Sequence, residues 1–259
     1  AARRDAAGGG SSPRGRGGIV LRLLNWNFDD LVEYLLAVHP QHCRAVMQRL
    51  GKSTQKSWVP ELARVALDRL AVDPEVPDHE DALIAEVESR LRKPAHAAVA
   101  AEYCLARAAD DKDGIQSAAV ALSRIGCPQN VINLLRHPEA QFPLAARQLV
   151  AALASRKSIR KLERRLPPEL VQLAGQQCRA VALAIKRLRS IVNSAQAKAA
   201  HPTAASILSI ADPTWRPEGD ADRPCYLPDG FFNGVNWSMA SLAHANLRKA
   251  DLSDACLAG

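Results

Sequence analysis

GFFNG VNWSM ASLAH ANLRK ADLSD ACLAG, residues 230–259, divides into six groups of five. The middle of each five is Phe232, Trp237, Leu242, Leu247, Leu252 or Leu257. Two residues before each middle stands Gly230, Val235, Ala240, Ala245, Ala250 or Ala255, small in every unit but the second. Asn236, Asn246 and Asp251 directly precede three of the middles. A helix places positions five apart about 140° round its axis, so these large apolar residues would spiral over all its faces. A coil with flat sides and a corner every five residues keeps them in line. Each side then sends one large and one small apolar side chain inward, and the polar residues between them face solvent or bond the turn backbone. Such a unit buries its inner face only against its neighbours.

The last three units, ANLRK, ADLSD and ACLAG, follow the pattern A-(D/N)-L-x-x, and the stretch resembles the pentapeptide-repeat family. The first three units are degenerate. The resemblance covers 30 of the 259 residues. It implies a right-handed quadrilateral β-helix with four units per coil, a structure for shape and contact rather than catalysis. The repeat core is then Phe232, Trp237, Leu242, Leu247, Leu252 and Leu257 with Ala240, Ala245, Ala250 and Ala255. Six units make about one and a half coils, too little to stand alone. The stretch is expected to rest on the preceding chain or to continue within a longer protein, of which this chain, starting at Ala1, reads as a fragment.

The preceding chain has a different grammar. Hydrophobic residues make up 47% but aromatic residues only 4%, and alanine and leucine supply most of the apolar count. Both are strong helix formers. Phe28, Leu31, Val32, Leu35 and Leu36 recur at helical spacing, with Asn27 as N-cap and Asp29 and Asp30 in the first turn. Gly51 fits a helix end, and Pro60 fits a helix start. Pro167-Pro168 opens what reads as one long helix to about Val192, and residues 200–210 suit one more short helix. The expected fold class is mainly α: an irregular helical-hairpin (HEAT-like) body followed by a short pentapeptide-repeat right-handed β-helix. Residues 1–18 are a low-complexity, disordered tail. Residues 19–94 form a first helical segment, 95–200 the HEAT-like repeats, 201–229 a linker rich in Pro, Gly and acids, and 230–259 the repeats.

Within IVLRLLNWNFDDLVEYLLAVHP, the residues Leu24, Phe28, Asp29, Val32, Tyr34 and Leu35 resemble the stretch that follows the ATPase core in bacterial NACHT-type signalling proteins of the STAND class. That resemblance implies a winged-helix-like form for residues 19–94, with the repeats behind it acting as sensor or scaffold. Gly51-Lys52-Ser53-Thr54 imitates the end of a phosphate-binding loop, but the first glycine of that motif would fall at Val46, after a helical rather than a strand pattern.

Net charge is +7. Residues 1–18 hold Arg3, Arg4, Arg14 and Arg16 against Asp5, so the remainder carries +4. Arg156, Lys157, Arg160, Lys161, Arg164 and Arg165 cluster in SRKSIRKLERR. At helical spacing Lys157, Lys161 and Arg164 share one face, opposite Ile159, Leu162 and Leu166. A solvated helix face is the first reading and contact with a polyanion the second. No aromatics interleave, which argues against base stacking. The repeats carry Arg248 and Lys249 against Asp251 and Asp254, whereas mimicry of DNA shape needs an acidic surface. The six cysteines show no zinc-ligand spacing, and Cys104 and Cys178 fall inside helical patterns as small hydrophobes. His39, His137 and His201 each precede a proline, and the acids around His79 suit a helix start.

The sequence therefore reads as a cytoplasmic, non-catalytic protein-interaction scaffold, the C-terminal part of a larger signalling protein. No cofactor, metal or membrane is expected, and a protein is the expected partner. A DNA- or polyanion-associated module using the basic helix around 156–165 is the alternative. A nucleotide titration is expected to show no ATP binding and no hydrolysis; micromolar affinity would contradict this reading of Gly51–Thr54.

Overall fold

The computed structural model describes residues 24–91, 93–155, 160–219 and 224–257. The tail expected at 1–18 lies outside them, as do Arg156 and Lys157. Among the described residues the helices run α1 (Phe28–Val38), α2 (Cys43–Leu50), α3 (Pro60–Val72), α4 (His79–Leu91), α5 (Pro94–Ala108) and α6 (Lys112–Arg124). They continue as α7 (Gln129–Leu134), α8 (Pro138–Ala154), α9 (Pro168–Cys178), α10 (Ala182–Val192) and α11 (His201–Ala211).

Local chemistry sets the helix starts. The Asn27 side chain accepts from the Asp29 and Asp30 backbone N–H groups, and the Asp30 carboxylate accepts from the Asn27 N–H at 2.8 Å, a reciprocal capping box. Asp78 caps α4 by accepting from the Glu80 and Asp81 N–H groups at 2.9 and 3.0 Å. Proline opens α3, α5, α8 and α9, where its missing N–H would have no helical partner. Gly51 closes α2 at φ +51°, a left-handed conformation that suits glycine.

The helices pack on near neighbours and across the chain: α3 on α4, α5 on α6 and α8, α8 on α9, and α11 on both α9 and α10. One apolar core gathers α1–α4, with Leu31, Leu35, Trp58, Leu62 and Leu70 buried in it. A second, larger core runs from α4 to α11. α4 joins the two: Ala82 and Leu83 face the first, Ile84, Val87 and Leu91 the second. Between residues 24 and 91 the extended backbone forms a single antiparallel bridge, Trp26 with Trp58.

Three expectations need correcting. The long helix from Pro168 to Val192 is two helices, broken at residues 179–181, where the Val181 N–H donates back to the Cys178 carbonyl. No proline or glycine marks that break; it occurs because α9 and α10 both pack against α11 and must turn to do so. The basic stretch is no α-helix where it is described: residues 160–163 form one 3-10 turn. The linker expected from residue 201 begins later: residues 201–211 are α11, where the helical pattern at 200–210 falls, and Thr203 to Leu208 are all buried in it.

Gly175 of α9 makes the α9–α11 contact close. A Cβ there would meet the Cβ and Cγ2 of Ile210 at 2.6 Å. Gly175→Val is expected to cost about 1–3 kcal/mol by overpacking, about 2–4 °C of melting temperature per kcal/mol, and Ile210→Ala in the same chain to recover part of it. Thermal unfolding followed by circular dichroism checks this; an unchanged midpoint for Gly175→Val contradicts it.

Candidate interaction surface

The coil starts one unit earlier than the sequence pattern shows, at Cys225-Tyr226-Leu227-Pro228-Asp229. Leu227 occupies the central position and is 1% exposed. Parallel bridges join Tyr226 to Asn246, Phe231 to Asp251 and Asn236 to Cys256. Each pair is twenty residues apart, which is four units of five, so the chain passes over itself after four sides. Reciprocal backbone bonds of 2.8 Å hold each crossing: Leu227 N–H to the Asn246 carbonyl and Asn246 N–H to the Cys225 carbonyl, for example. A further bridge, Glu218 with Ser241, departs from the twenty-residue spacing by three. Pairing is through single bridges rather than continuous strands.

Turns make the corners. The residue two after each centre has positive φ: Asp229, Gly234, Met239, His244, Lys249 and Asp254, between 56° and 67°. The N–H of the next unit's small residue then donates to the carbonyl of the centre, as from Ala245 to Leu242 and from Ala250 to Leu247, both at 3.0 Å. Positive φ at the third position is what a type II turn requires. The Asn or Asp before the centre steadies the same corner. Asn236, Asn246 and Asp251 accept from the N–H two residues on, at 3.1, 3.1 and 3.0 Å. The Ser253 hydroxyl and N–H together hold the Asp251 carboxyl below its usual range.

The first three sides of the coil are closed. Leu227, Phe232 and Trp237 are buried against one another and against Ala205 of α11. The Trp237 ring lies 4.6 Å from that of Phe232 and meets Trp215 edge-on at 6.0 Å. Burying each such side chain stabilises by about 1.5–3 kcal/mol. Gly230 stands where later units have alanine, because the Phe232 ring fills the space that a Cβ at Gly230 would need. Ser206 of α11 ties the backbone: its Oγ accepts from the Phe231 N–H at 2.8 Å and donates to the Pro202 carbonyl at 2.7 Å.

The fourth side of the first coil and the second coil are open. Leu242, Leu247 and Leu252 are only half-buried, as are Ala240, Ala245, Ala250 and Ala255, and Leu257 is 44% exposed. The corner residue Met239 is 85% exposed. Core positions of the repeat thus grade from covered to uncovered along the chain.

Among the described residues the basic side chains differ in their engagement. Lys161 pairs with Glu102, and burial lowers its ammonium pKa. The Arg164 guanidinium donates to the Asp110 carbonyl at 2.7 Å and approaches Asp111 at 3.4 Å. Arg160 and Arg165 are exposed, and Arg165 lines a small cleft with Asp229 and Asp251. Arg189 pairs with Asp212.

The other candidates have structural partners. Residues 51–55 form a 3-10 turn whose Ser53 carbonyl accepts the Trp58 indole N–H at 3.0 Å. His79 is buried edge-on against Trp58 at 5.1 Å, and desolvation lowers its pKa. His39 lies 2.9 Å from Asp68, which also accepts from the Tyr34 hydroxyl. Cys104 and Cys178 are buried, and burial pushes the Cys178 thiol up to about 11, away from reactivity. Among the described residues no group of three or more His, Cys, Asp or Glu is placed to hold a metal ion. No helix among them is long and apolar enough to cross a membrane.

A family model described as pentapeptide repeats (8 copies) matches residues 232–259. Neither the curated proteins nor the solved structures give a match. The C-terminal segment therefore carries pentapeptide repeats.

Gly230→Ala is expected to destabilise the coil by about 1–3 kcal/mol, because the Phe232 ring must move. Adding Phe232→Leu recreates the alanine–leucine unit of the later repeats and is expected to restore most of the loss. Denaturant titration of the two variants decides this; a double variant no more stable than Gly230→Ala alone refutes the Gly–Phe exchange.

Proposed function

We propose that the chain is a non-catalytic protein-interaction scaffold. In this reading a short right-handed quadrilateral β-helix is mounted rigidly on a HEAT-like helical body. The observation that carries it is the outward display of the repeat's corners. Leu227, Phe232 and Trp237 are covered by one another and by Ala205, whereas the corner residues Met239, His244 and Lys249 stand exposed on the coil. Side chains held outward by buried neighbours offer a surface for contact. The partner class is a protein, and the setting is the cytoplasm. The phrase from Leu24 to Leu35 supports a place in a larger signalling protein, behind an ATPase core of the NACHT type. A polyanion-binding role is the weaker reading, since Lys161 and Arg164 are engaged by Glu102, Asp110 and Asp111.

Photo-crosslinking from the outward corners Met239, His244 and Lys249 tests the reading in cells producing the chain. Discrete protein adducts are expected from these positions and none from the exposed Gln172 of α9. Duplex DNA at physiological salt is expected to bind no more tightly than the ordinary non-specific range of about 10⁻⁴–10⁻⁶ M. Tighter, steeply salt-dependent binding that Arg160→Glu with Arg165→Glu abolishes would replace the scaffold by the polyanion module.

A further inference from the structure

Helices α4 and α9 both pack on α8 and leave a groove of about 610 Å³ between them, open to solvent on one side. One face of α8 makes the floor: Pro143, Arg147, Val150, Ala151 and Ala154 line it. These positions span about 16 Å of helix axis, the length of about three helical turns. The small apolar side chains of Pro143, Val150, Ala151 and Ala154 let another helix approach closely, beside Arg147.

The rim is electronegative. The cap and first turn of α4 contribute Asp78, Glu80 and Asp81 to the lining, against Arg147 as the base among the lining residues. Arg147 is also divided: it reaches Asp81 at 3.5 Å and Glu88, outside the lining, at 3.0 Å. Burial, and then the Asp78 charge, raise the Glu80 carboxyl pKa; Lys56 opposes this in part, and Asp81 adds to it. Lys56 forms no ion pair with these acids among the described residues. At the other wall lies the C-terminal end of α9, with Gln176 and Gln177, where the helix dipole is negative. Arg179, just beyond, is turned away and donates its Nε–H to the Ile210 carbonyl at 3.0 Å.

We propose that this groove docks a cationic amphipathic helix of a protein partner, with its apolar stripe on the α8 floor and a lysine or arginine over Asp78, Glu80 and Asp81. The length and shape of the floor fit the i, i+3, i+4, i+7 anchors of such a helix, and the rim supplies the complementary charge. The proposal rests on the scaffold reading and adds the chemistry of one partner. The repeat coil takes no part in it, so failure here removes the groove and leaves the scaffold reading to the crosslinking from the coil.

The test is a fluorescence titration of the full chain with a synthetic Leu/Lys amphipathic peptide of about 14 residues, about four helical turns. The expected dissociation constant is about 10⁻⁵ M, with at least about tenfold weaker binding of the matching Leu/Glu peptide. A chain carrying Glu80→Gln with Asp78→Asn, in which asparagine keeps the α4 cap, is expected to bind the Leu/Lys peptide about tenfold more weakly. Ala151→Glu, at an exposed floor position, is expected to abolish binding with the thermal midpoint unchanged, and hydrogen exchange along α8 to slow only when peptide is present. Equal affinity for the two peptides, or binding untouched by these substitutions, overturns the proposal. So does protection of α8 without peptide that disappears when Arg3, Arg4, Arg14 and Arg16 are changed to serine, because the chain's own basic segment would then fill the groove.

Discussion

The structure depends on α11 being covered on two sides at once. A five-residue repeat buries its inner row only between neighbouring coils, so its first coil needs a lid. α11 is that lid. Ala204, Ile207 and Leu208 face the helical core, while Ala205 faces Leu227, Phe232 and Trp237. Ser206 completes the join, accepting from the coil backbone and donating to its own helix. A buried serine is tolerated here because both capacities of its hydroxyl are used. The repeat and the helical body therefore each have a core of their own, and α11 contributes to both.

A coil seated on α11 has its corners placed by that helix, through Ala205 and Ser206. The helical body offers a second surface of different character, apolar along α8 and acidic at the α4 start. A chain of net positive charge with an acidic groove has its signs separated in space.

Much of this was legible in the residues themselves. Capping by Asn27, prolines at helix starts, and the register of Leu242, Leu247 and Leu252 follow from local chemistry, and they appear where the pattern puts them. The unit centred on Leu227 was hidden because Cys225 replaces alanine and Pro228 sits at the corner, so it merged with the proline-rich stretch before it. Its signal was the simple continuation of the period from Phe232 back by five. The break between α9 and α10 had no signal of that kind. Lys161 and Arg164 looked like members of one basic face because their partners, Glu102, Asp110 and Asp111, lie more than fifty residues away in the chain.

The sequence alone determined two things: a helical body, through alanine and leucine at helical spacing, and a period-five coil, through one large and one small apolar residue in each unit. Both are local, since each unit's backbone conformation follows from side chains a few residues apart. The tertiary structure decided where the coil begins, which helix closes it, which charges are neutralised and where a groove remains. Those outcomes depend on surfaces that meet only after the chain has turned back on itself, as Gly175 meets Ile210 and Phe231 meets Ser206. A contact between residues so far apart leaves no mark in the spacing of either one.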